Sequence, residues 1–262
     1  MGYPSTVPIN LTDHERGAPF TGDFAAALSA VEDRLARSQL SQIVHRRRAI
    51  VLVEGWEGAG KKDMLRHLVG SWDPCHLSTH CVGADEPIDR DRHWLARFWN
   101  EIPPAGETSI FYRSWYRQMV EERLAGRMDD AGWARAADEV NEFESQQRDH
   151  GTLIVKLFFH LSRAAQAERL DALRADPWRR WRLGPGDIRS LTHRADYEAA
   201  FSEAFAQTDT RWAPWQIIDA GDEQAGCLAA LEAIASAFTK AMPAAPPAEG
   251  DTLVYLDQHK RA

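Results

Sequence analysis

Apolar residues along the chain either recur at helical intervals or form short continuous runs, and segments of these two kinds alternate. Near-helical spacing of apolar residues predicts a first helix over residues 23–47. The following run, residues 49–53, is short, rich in β-branched residues and bounded by Glu54-Gly55, which predicts a buried strand of a parallel sheet. Further strands are predicted at residues 80–82, 108–111, 152–157 and 215–219. Helical patterns occur at residues 61–68, 90–99, 119–124, 131–147, 163–175, 195–208 and 223–241.

This alternation predicts an α/β fold built from βαβ units, with a parallel sheet flanked by helices on both faces. The two ends of the chain differ from the middle. Residues 1–22, rich in Pro, Thr, Gly and charge, are expected to form a flexible arm before a domain at residues 23–241. Residues 242–262 are expected to form a proline-rich tail, with a short docked end at residues 253–256.

Composition narrows the classes of function. The chain has 262 residues, 44% of them hydrophobic and 27% charged, which is ordinary for a globular protein. Its net charge of −8 argues against a general nucleic-acid binder, although arginines gather at residues 163–194. The three cysteines are too few and too irregularly spaced for a disulfide framework or a zinc site. No apolar run is long enough for a membrane span and no signal peptide is recognisable, so we expect a cytoplasmic location and no membrane partner.

A phosphate-binding motif follows the first predicted strand. Residues 55–62, Gly-Trp-Glu-Gly-Ala-Gly-Lys-Lys, fit the pattern G-x-x-x-x-G-K and open a predicted helix. This arrangement turns backbone N–H groups and the positive end of the helix toward a phosphate, and the small residues let the backbone wrap closely around it. The predicted phosphate-binding residues of this loop are Gly55, Gly58, Ala59, Gly60, Lys61 and Lys62.

The residue after the loop lysine departs from the common nucleotide-hydrolase pattern. Such loops carry Ser or Thr there to hold Mg²⁺, whereas this chain has Lys62.

Together with later segments, the loop resembles the polyphosphate kinase 2 family, whose loop pattern is G-x-D-x-A-G-K. The family's F-D-R-S-W-Y block resembles residues 111–116, Phe-Tyr-Arg-Ser-Trp-Tyr. Further collinear matches are Arg97-Phe98-Trp99, Ile102-Pro103-Pro104, Asn141–Glu144, Lys156–His160, Asp176–Leu183, Thr208–Thr210 and Ala213–Trp215.

The resemblance implies a P-loop kinase fold with a helical lid at about residues 162–208. It also implies Mg²⁺-dependent transfer of phosphate between inorganic polyphosphate and nucleoside mono- or diphosphates, in a homo-oligomer. Carried over to this chain, Lys61, Glu57 and Arg113 would be catalytic. Arg117, Arg180 and Arg182 would bind phosphate, which suits the bidentate guanidinium group.

The expected metal site departs from the family pattern at two acidic positions. Glu57 replaces the loop Asp with a longer carboxylate, and Tyr112 replaces the Asp of the F-D-R-S-W-Y block. A neutral phenol is a poor Mg²⁺ ligand, because this ion prefers hard oxygen donors. Asp63 is a candidate replacement ligand, with Asp85, Asp89 and Asp91 as further candidates. The sequence Trp115-Tyr116-Arg117-Gln118 also loses or moves the arginine of the family's W-Y-x-R.

Three functions remain open at this point. The first is a polyphosphate-dependent phosphotransferase with a rebuilt metal site. The second is a catalytically impaired protein that binds polyphosphate or nucleotide, or partners an active homologue. The third is a P-loop kinase that acts on another small acceptor with a nucleotide as donor. Among the aromatic residues, Trp94, Trp99, Trp115 and Trp181 are expected to pack in the core or lid.

Overall fold

The computed structural model describes residues 8–83 and 91–246. Its five strands form one parallel sheet in the order β2-β3-β1-β4-β5. The strands are β1 (Arg48–Gly55), β2 (Leu77–Cys81), β3 (Thr108–Tyr112), β4 (Thr152–His160) and β5 (Trp215–Asp219). The helices are α1 (Phe24–Val44), α2 (Lys61–Ser71), α3 (Ala96–Trp99), α4 (Trp115–Leu124), α5 (Asp130–Asp149), α6 (Arg163–Ala175), α7 (Pro185–Thr192), α8 (Arg194–Thr208) and α9 (Glu223–Ala241).

Helices cover both faces of the sheet, as the alternating pattern predicted. Helices α1, α2 and α9 contact one another as one layer, and α4, α5 and α8 form another. The central strand β1 is buried along most of its length between β3 and β4, which explains why its residues are apolar without alternation. In the described part of the chain, no helix has the length and apolar content that crossing a membrane requires.

Strand β2, predicted at residues 80–82, spans Leu77–Cys81, and the helices differ from the prediction in three places. Of the helix expected at residues 90–99, the described part, residues 91–99, contains only α3, which is followed by Pro103 and Pro104. Helix α4 starts at Trp115 rather than at 119, because the Ser114 hydroxyl accepts a hydrogen bond from Tyr116 N and caps it. Helix α7 was not predicted; it begins with a proline at its first position and lies between the two predicted helices of the 162–208 segment.

The N-terminal arm is not loose over the residues that the structure describes. Leu11 is buried in the core, and Gly17 N donates a hydrogen bond of 3.0 Å to the Asp219 carboxylate. Phe20 N donates to Asp222 at the start of α9. Composition indicated a lack of regular structure, and the described part of the arm has one short 3₁₀ helix, Leu11–His14, yet the segment is docked. The predicted tail end, residues 253–256, lies outside the described residues.

Candidate functional site

The phosphate-binding loop lies at the carboxyl end of β1, between the last strand residue Gly55 and the start of α2. Gly55 has a φ of +117°, and a Cβ on it would lie 2.2 Å from the Phe159 carbonyl oxygen of β4. Only glycine, which has no Cβ, fits where the chain passes this close to β4. The loop then turns at Gly58 and at Gly60, whose φ is +81°, so that the N-terminus of α2 faces the cleft.

The Lys61 side chain is folded back onto the loop and is almost fully buried. Its ammonium group donates hydrogen bonds to the carbonyl oxygens of Gly55, at 2.9 Å, and of Trp56. The Glu57 carboxylate lies 3.5 Å from it. Burial lowers the pKa of Lys61 to about 8, because desolvation outweighs the opposing effect of Glu57. The loop therefore holds a cation at the place where a phosphate group would approach.

Glu57 and Tyr112 share a hydrogen bond across the base of the cleft. The Tyr112 hydroxyl donates to Glu57 Oε2 at 2.9 Å, and both side chains are buried. Burial and the nearby Glu57 charge raise the pKa of Tyr112 well above its usual value, so the phenol stays neutral. Burial also acts to raise the pKa of Glu57, but Lys61, Arg113 and Lys62 outweigh it and leave this pKa below its usual value. Glu57 is therefore an ionised carboxylate surrounded by cations.

Arg113 connects the end of β3 to the segment predicted as a lid. Its φ of +63° is unusual for a residue with a side chain, and its N–H donates to Val53 O at 3.1 Å. The guanidinium group forms an ion pair with Asp187 of α7 and lies 3.6 Å from Glu57. Asp187 is 4% exposed and also accepts a hydrogen bond of 2.8 Å from Gly184 N. Strained backbone held by a buried ion pair is typical of functional sites.

Sequence reasoning did not single out Asp187, because nothing in the local pattern marks its long-range partner. It also missed Arg169 and Arg179, except as members of the arginine-rich segment at residues 163–194. Both line the cleft beside the loop. Arg169 donates hydrogen bonds to Gly58 O, at 3.1 Å, and to Gly221 O, at 2.7 Å, and so fixes the loop against the chain after β5.

The other predicted arginines are placed differently. Arg117 is buried in α4, ion-paired with Glu121 at 2.7 Å and stacked over Tyr197, and it is not among the described residues that line the cleft. Arg180 is exposed on the segment between α6 and α7. The side chain of Arg182 lies outside the described part. Trp115 is fully buried in the core, and Trp99, although 46% exposed, packs edge-on against Phe143 with ring centroids 4.8 Å apart. Trp181 is 74% exposed on the segment predicted as a lid, where its ring centroid lies 6.0 Å from Lys62 Nζ.

The donor set of the cleft does not fit a Mg²⁺ ion held by the protein. Glu57 already accepts the Tyr112 hydrogen bond among three cations, and Asp187 is engaged with Arg113. Asp63 lines the cleft but is exposed and ion-paired with Arg66. Mg²⁺ requires several hard oxygen donors in octahedral array, and the described residues do not bring such a group together here. Asp85 and Asp89 lie outside the described residues.

A separate group of possible metal ligands, found among the described residues, is Glu15, His160 and Glu198. Trp56 Nε1 donates to His160 Nδ1 at 2.8 Å, so the ring proton is on Nε2, which faces Glu15 at 2.9 Å. Burial lowers the pKa of His160 and favours this neutral form. A ring nitrogen that carries a proton offers no lone pair to a metal, so this group serves to join the arm to the loop.

Comparison with known proteins agrees with this geometry. A family model described as polyphosphate kinase 2 matches residues 21–246. A polyphosphate:AMP phosphotransferase of Pseudomonas syringae is 30% identical over 84% of this chain, which spans 44% of that protein. A GDP-polyphosphate phosphotransferase of Mycolicibacterium smegmatis is 29% identical, with 90% of this chain and 80% of that protein covered.

Among solved structures, polyphosphate kinase 2 from Arthrobacter aurescens superposes with a TM-score of 0.83 at 26% identity, covering 97% of this chain and 95% of that one. The parallel five-stranded sheet and the loop after β1 are thus those of a P-loop kinase fold, as predicted. The chain spans less than half the length of the polyphosphate:AMP phosphotransferase that it matches. The family model covers residues 21–246, and the protein therefore belongs to the polyphosphate kinase 2 family.

Proposed function

We propose that this protein transfers a phosphoryl group between inorganic polyphosphate and a nucleoside mono- or diphosphate. The observation that carries the proposal is the cleft beside the loop, which gathers Lys61, Lys62, Arg169 and Arg179 at the positive end of α2. Such a surface suits a ligand with many phosphate groups. The names of the relatives, which include AMP and GDP phosphotransferases, support the same class of substrates.

The roles of the residues follow from charge and position. The loop amides and Lys61 would bind the phosphate next to the transferred group, and Arg113 would leave Asp187 to contact the transferred group itself. A phosphate oxygen of the acceptor forms the new P–O bond while the bond to the remaining polyphosphate breaks. Because an acceptor phosphate is already ionised at neutral pH, the reaction needs no general base, and positioning and charge stabilisation are the protein's contribution.

Mg²⁺ is expected from the family resemblance and stays a prediction. A Mg²⁺ ion that takes part would have to arrive on the substrate phosphates, because the described residues of the cleft do not form a site for it. Homo-oligomerisation, a cytoplasmic location and the absence of nucleic-acid and membrane partners likewise stay predictions. Arg180 and Arg182 lie on the segment between α6 and α7, and contact with a long phosphate chain remains the proposal for them.

The test is a transfer assay with purified protein and polyphosphate. AMP, ADP, GMP and GDP are offered separately, with and without Mg²⁺, and nucleotide phosphorylation is followed. We expect turnover that falls at least about 10²-fold in Lys61→Ala, the loss typical for removing one transition-state donor. Lys240→Ala, which removes an exposed lysine of α9, should match the wild type.

A wild type that transfers nothing, while polyphosphate or nucleotide still binds, would replace this proposal by the non-catalytic alternative. Transfer from a nucleotide to another small acceptor, with polyphosphate inert, would favour the third function instead.

A further inference from the structure

The ring of Tyr112 lies at the centre of three cationic side chains. Its centroid is 5.5 Å from Lys61 Nζ, 5.3 Å from Lys62 Nζ and 5.6 Å from the Arg113 guanidinium carbon. Lys62 also lies 6.0 Å from the exposed ring of Trp181. These separations are within the range of cation–π attraction. The position where the family pattern has an acid is therefore occupied by a ring that attracts cations.

An aromatic ring and a carboxylate at position 112 both attract cations, but they differ in the charge that they add to the site. A carboxylate at position 112 would add a negative charge beside Glu57, and such a pair needs a metal ion or another cation for balance. The Tyr112 phenol is neutral and donates its hydrogen bond to Glu57. Its ring attracts Lys61, Lys62 and Arg113 without neutralising them. Glu57 and Asp187 offset two of these three positive charges, so one remains for a ligand.

The placement of Lys62 is unfavourable for the isolated helix. Lys61 and Lys62 both occupy the first turn of α2, where the helix dipole repels positive charge, and Asp63 is the acidic residue of that turn. Asp63 is paired with Arg66. Among the described residues, no carboxylate forms an ion pair with Lys62. A partly exposed lysine at the positive end of a helix suits a strongly anionic ligand.

We propose that this site binds a phosphate chain without any divalent cation, with Lys62, held over Tyr112, supplying the positive charge that a metal would otherwise bring. The inference rests on the proposed function for its ligand class, an inorganic polyphosphate. It differs from the family expectation in the source of charge: Lys61, Lys62 and Arg113 face two carboxylates, Glu57 and Asp187, and a net positive charge is left for the ligand.

The experiment measures binding of linear tripolyphosphate by isothermal titration calorimetry, first in EDTA and then in excess Mg²⁺. The wild type should bind at least as tightly in EDTA, because Mg²⁺ reduces the charge of the ligand. Lys62→Met should weaken binding in EDTA by about tenfold, the loss expected for one charge-assisted contact. Lys240→Met, which removes the same charge from an exposed position of α9, should leave the affinity unchanged.

Two variants of Tyr112 separate the ring from its hydroxyl. Tyr112→Phe keeps the ring and should bind within about threefold of the wild type in EDTA. Tyr112→Asp should lose at least about tenfold in EDTA and regain affinity with Mg²⁺. If Tyr112→Asp does not fold, Tyr112→Phe and Lys62→Met still decide the question.

Wild-type binding that requires Mg²⁺ would overturn the inference, as would a Lys62→Met protein that binds like the wild type. Binding in EDTA without any nucleotide phosphorylation would leave this inference standing and remove the proposed function. Phosphate transfer together with strictly Mg²⁺-dependent binding would support the proposed function and overturn this inference.

Discussion

At the scale of single residues, the site is defined by how burial and neighbouring charges set protonation. Lys61 is nearly inaccessible, yet its ammonium group is hydrogen-bonded to two loop carbonyl groups and lies beside Glu57. Desolvation therefore lowers its pKa to about 8, close enough to neutrality for pH to govern its charge. Tyr112 is shifted in the opposite sense and stays protonated. The site thus has one cation that titrates and one phenol that does not.

Binding of tripolyphosphate should weaken as pH rises through about 8. A bound phosphate group stabilises the ammonium form and raises the pKa of Lys61, so binding above that pH takes up a proton. The affinity should then fall by up to about tenfold per pH unit. Calorimetric titrations between pH 7 and 9.5 measure this slope. Lys61→Arg, whose guanidinium stays charged, should show a flatter profile; identical slopes for both proteins would contradict the assignment.

At the scale of elements, the loop depends on backbone contacts that β1 and β4 make with each other. Gly55 and Phe159 are register partners in the sheet, and Trp56 N continues the contact by donating to Phe159 O at 3.0 Å. A side chain on Gly55 would collide with backbone atoms, which cannot rotate away. Gly60, at the other end of the loop, has open space around it although its φ is also positive. Gly55 is therefore required by a close backbone contact, whereas Gly60 is favoured only by its positive φ.

Gly55→Ala should destabilise the protein by at least about 3 kcal/mol, since it combines a strained backbone with overpacking between two central strands. Gly60→Ala meets nothing within 4 Å and should cost only about 1 kcal/mol, for its left-handed conformation. Urea unfolding of both variants and the wild type measures the difference. Equal stability of the two variants would show that the close contact between Gly55 and Phe159 does not add to the loss of stability.

At the scale of the whole molecule, buried polar contacts join residues 162–208, the segment predicted as a lid, to the residues that follow β1 and β3. Arg113 pairs with Asp187 of α7. Arg194, at the start of α8, lies 3.8 Å from the ring centre of Trp56 in the loop and donates to Gln166 and to Leu161 O. Glu15 of the arm reaches the same loop through His160. Ligand binding that draws Arg113 from Asp187 would therefore loosen α7 while the Arg194 contacts persist.

Asp187→Asn should increase amide hydrogen exchange over residues 180–192 by at least about tenfold, because it removes the charge that pairs with Arg113. The matched control is Asp171→Asn, which breaks an exposed ion pair with Arg174 on α6 and should change little. Hydrogen exchange followed by mass spectrometry reports both. An unchanged exchange rate in Asp187→Asn would mean that other contacts hold this segment in place.

The amino-acid sequence by itself determined the order of strands and helices, the loop at residues 55–62 and the family. These features depend on contiguous residues: apolar patterns mark the strands and every long helix, although not α7, and the loop needs its glycines and lysine at fixed spacing between a strand and a helix. The departures at Glu57, Lys62 and Tyr112 could also be identified from the sequence, because each falls inside a matched motif. The contacts that these residues make could not be predicted from it.

Only the tertiary structure decided the polar partners. Tyr112 meets Glu57 across 55 positions, and Arg113 meets Asp187 across 74. Arg117, predicted to bind phosphate, forms an ion pair with Glu121 and stacks over the ring of Tyr197 of α8. The arm docks through Glu15 and His160, 145 positions apart. Pairs so distant in sequence leave no periodic signal, and their geometry arises only when the sheet and its covering helices assemble.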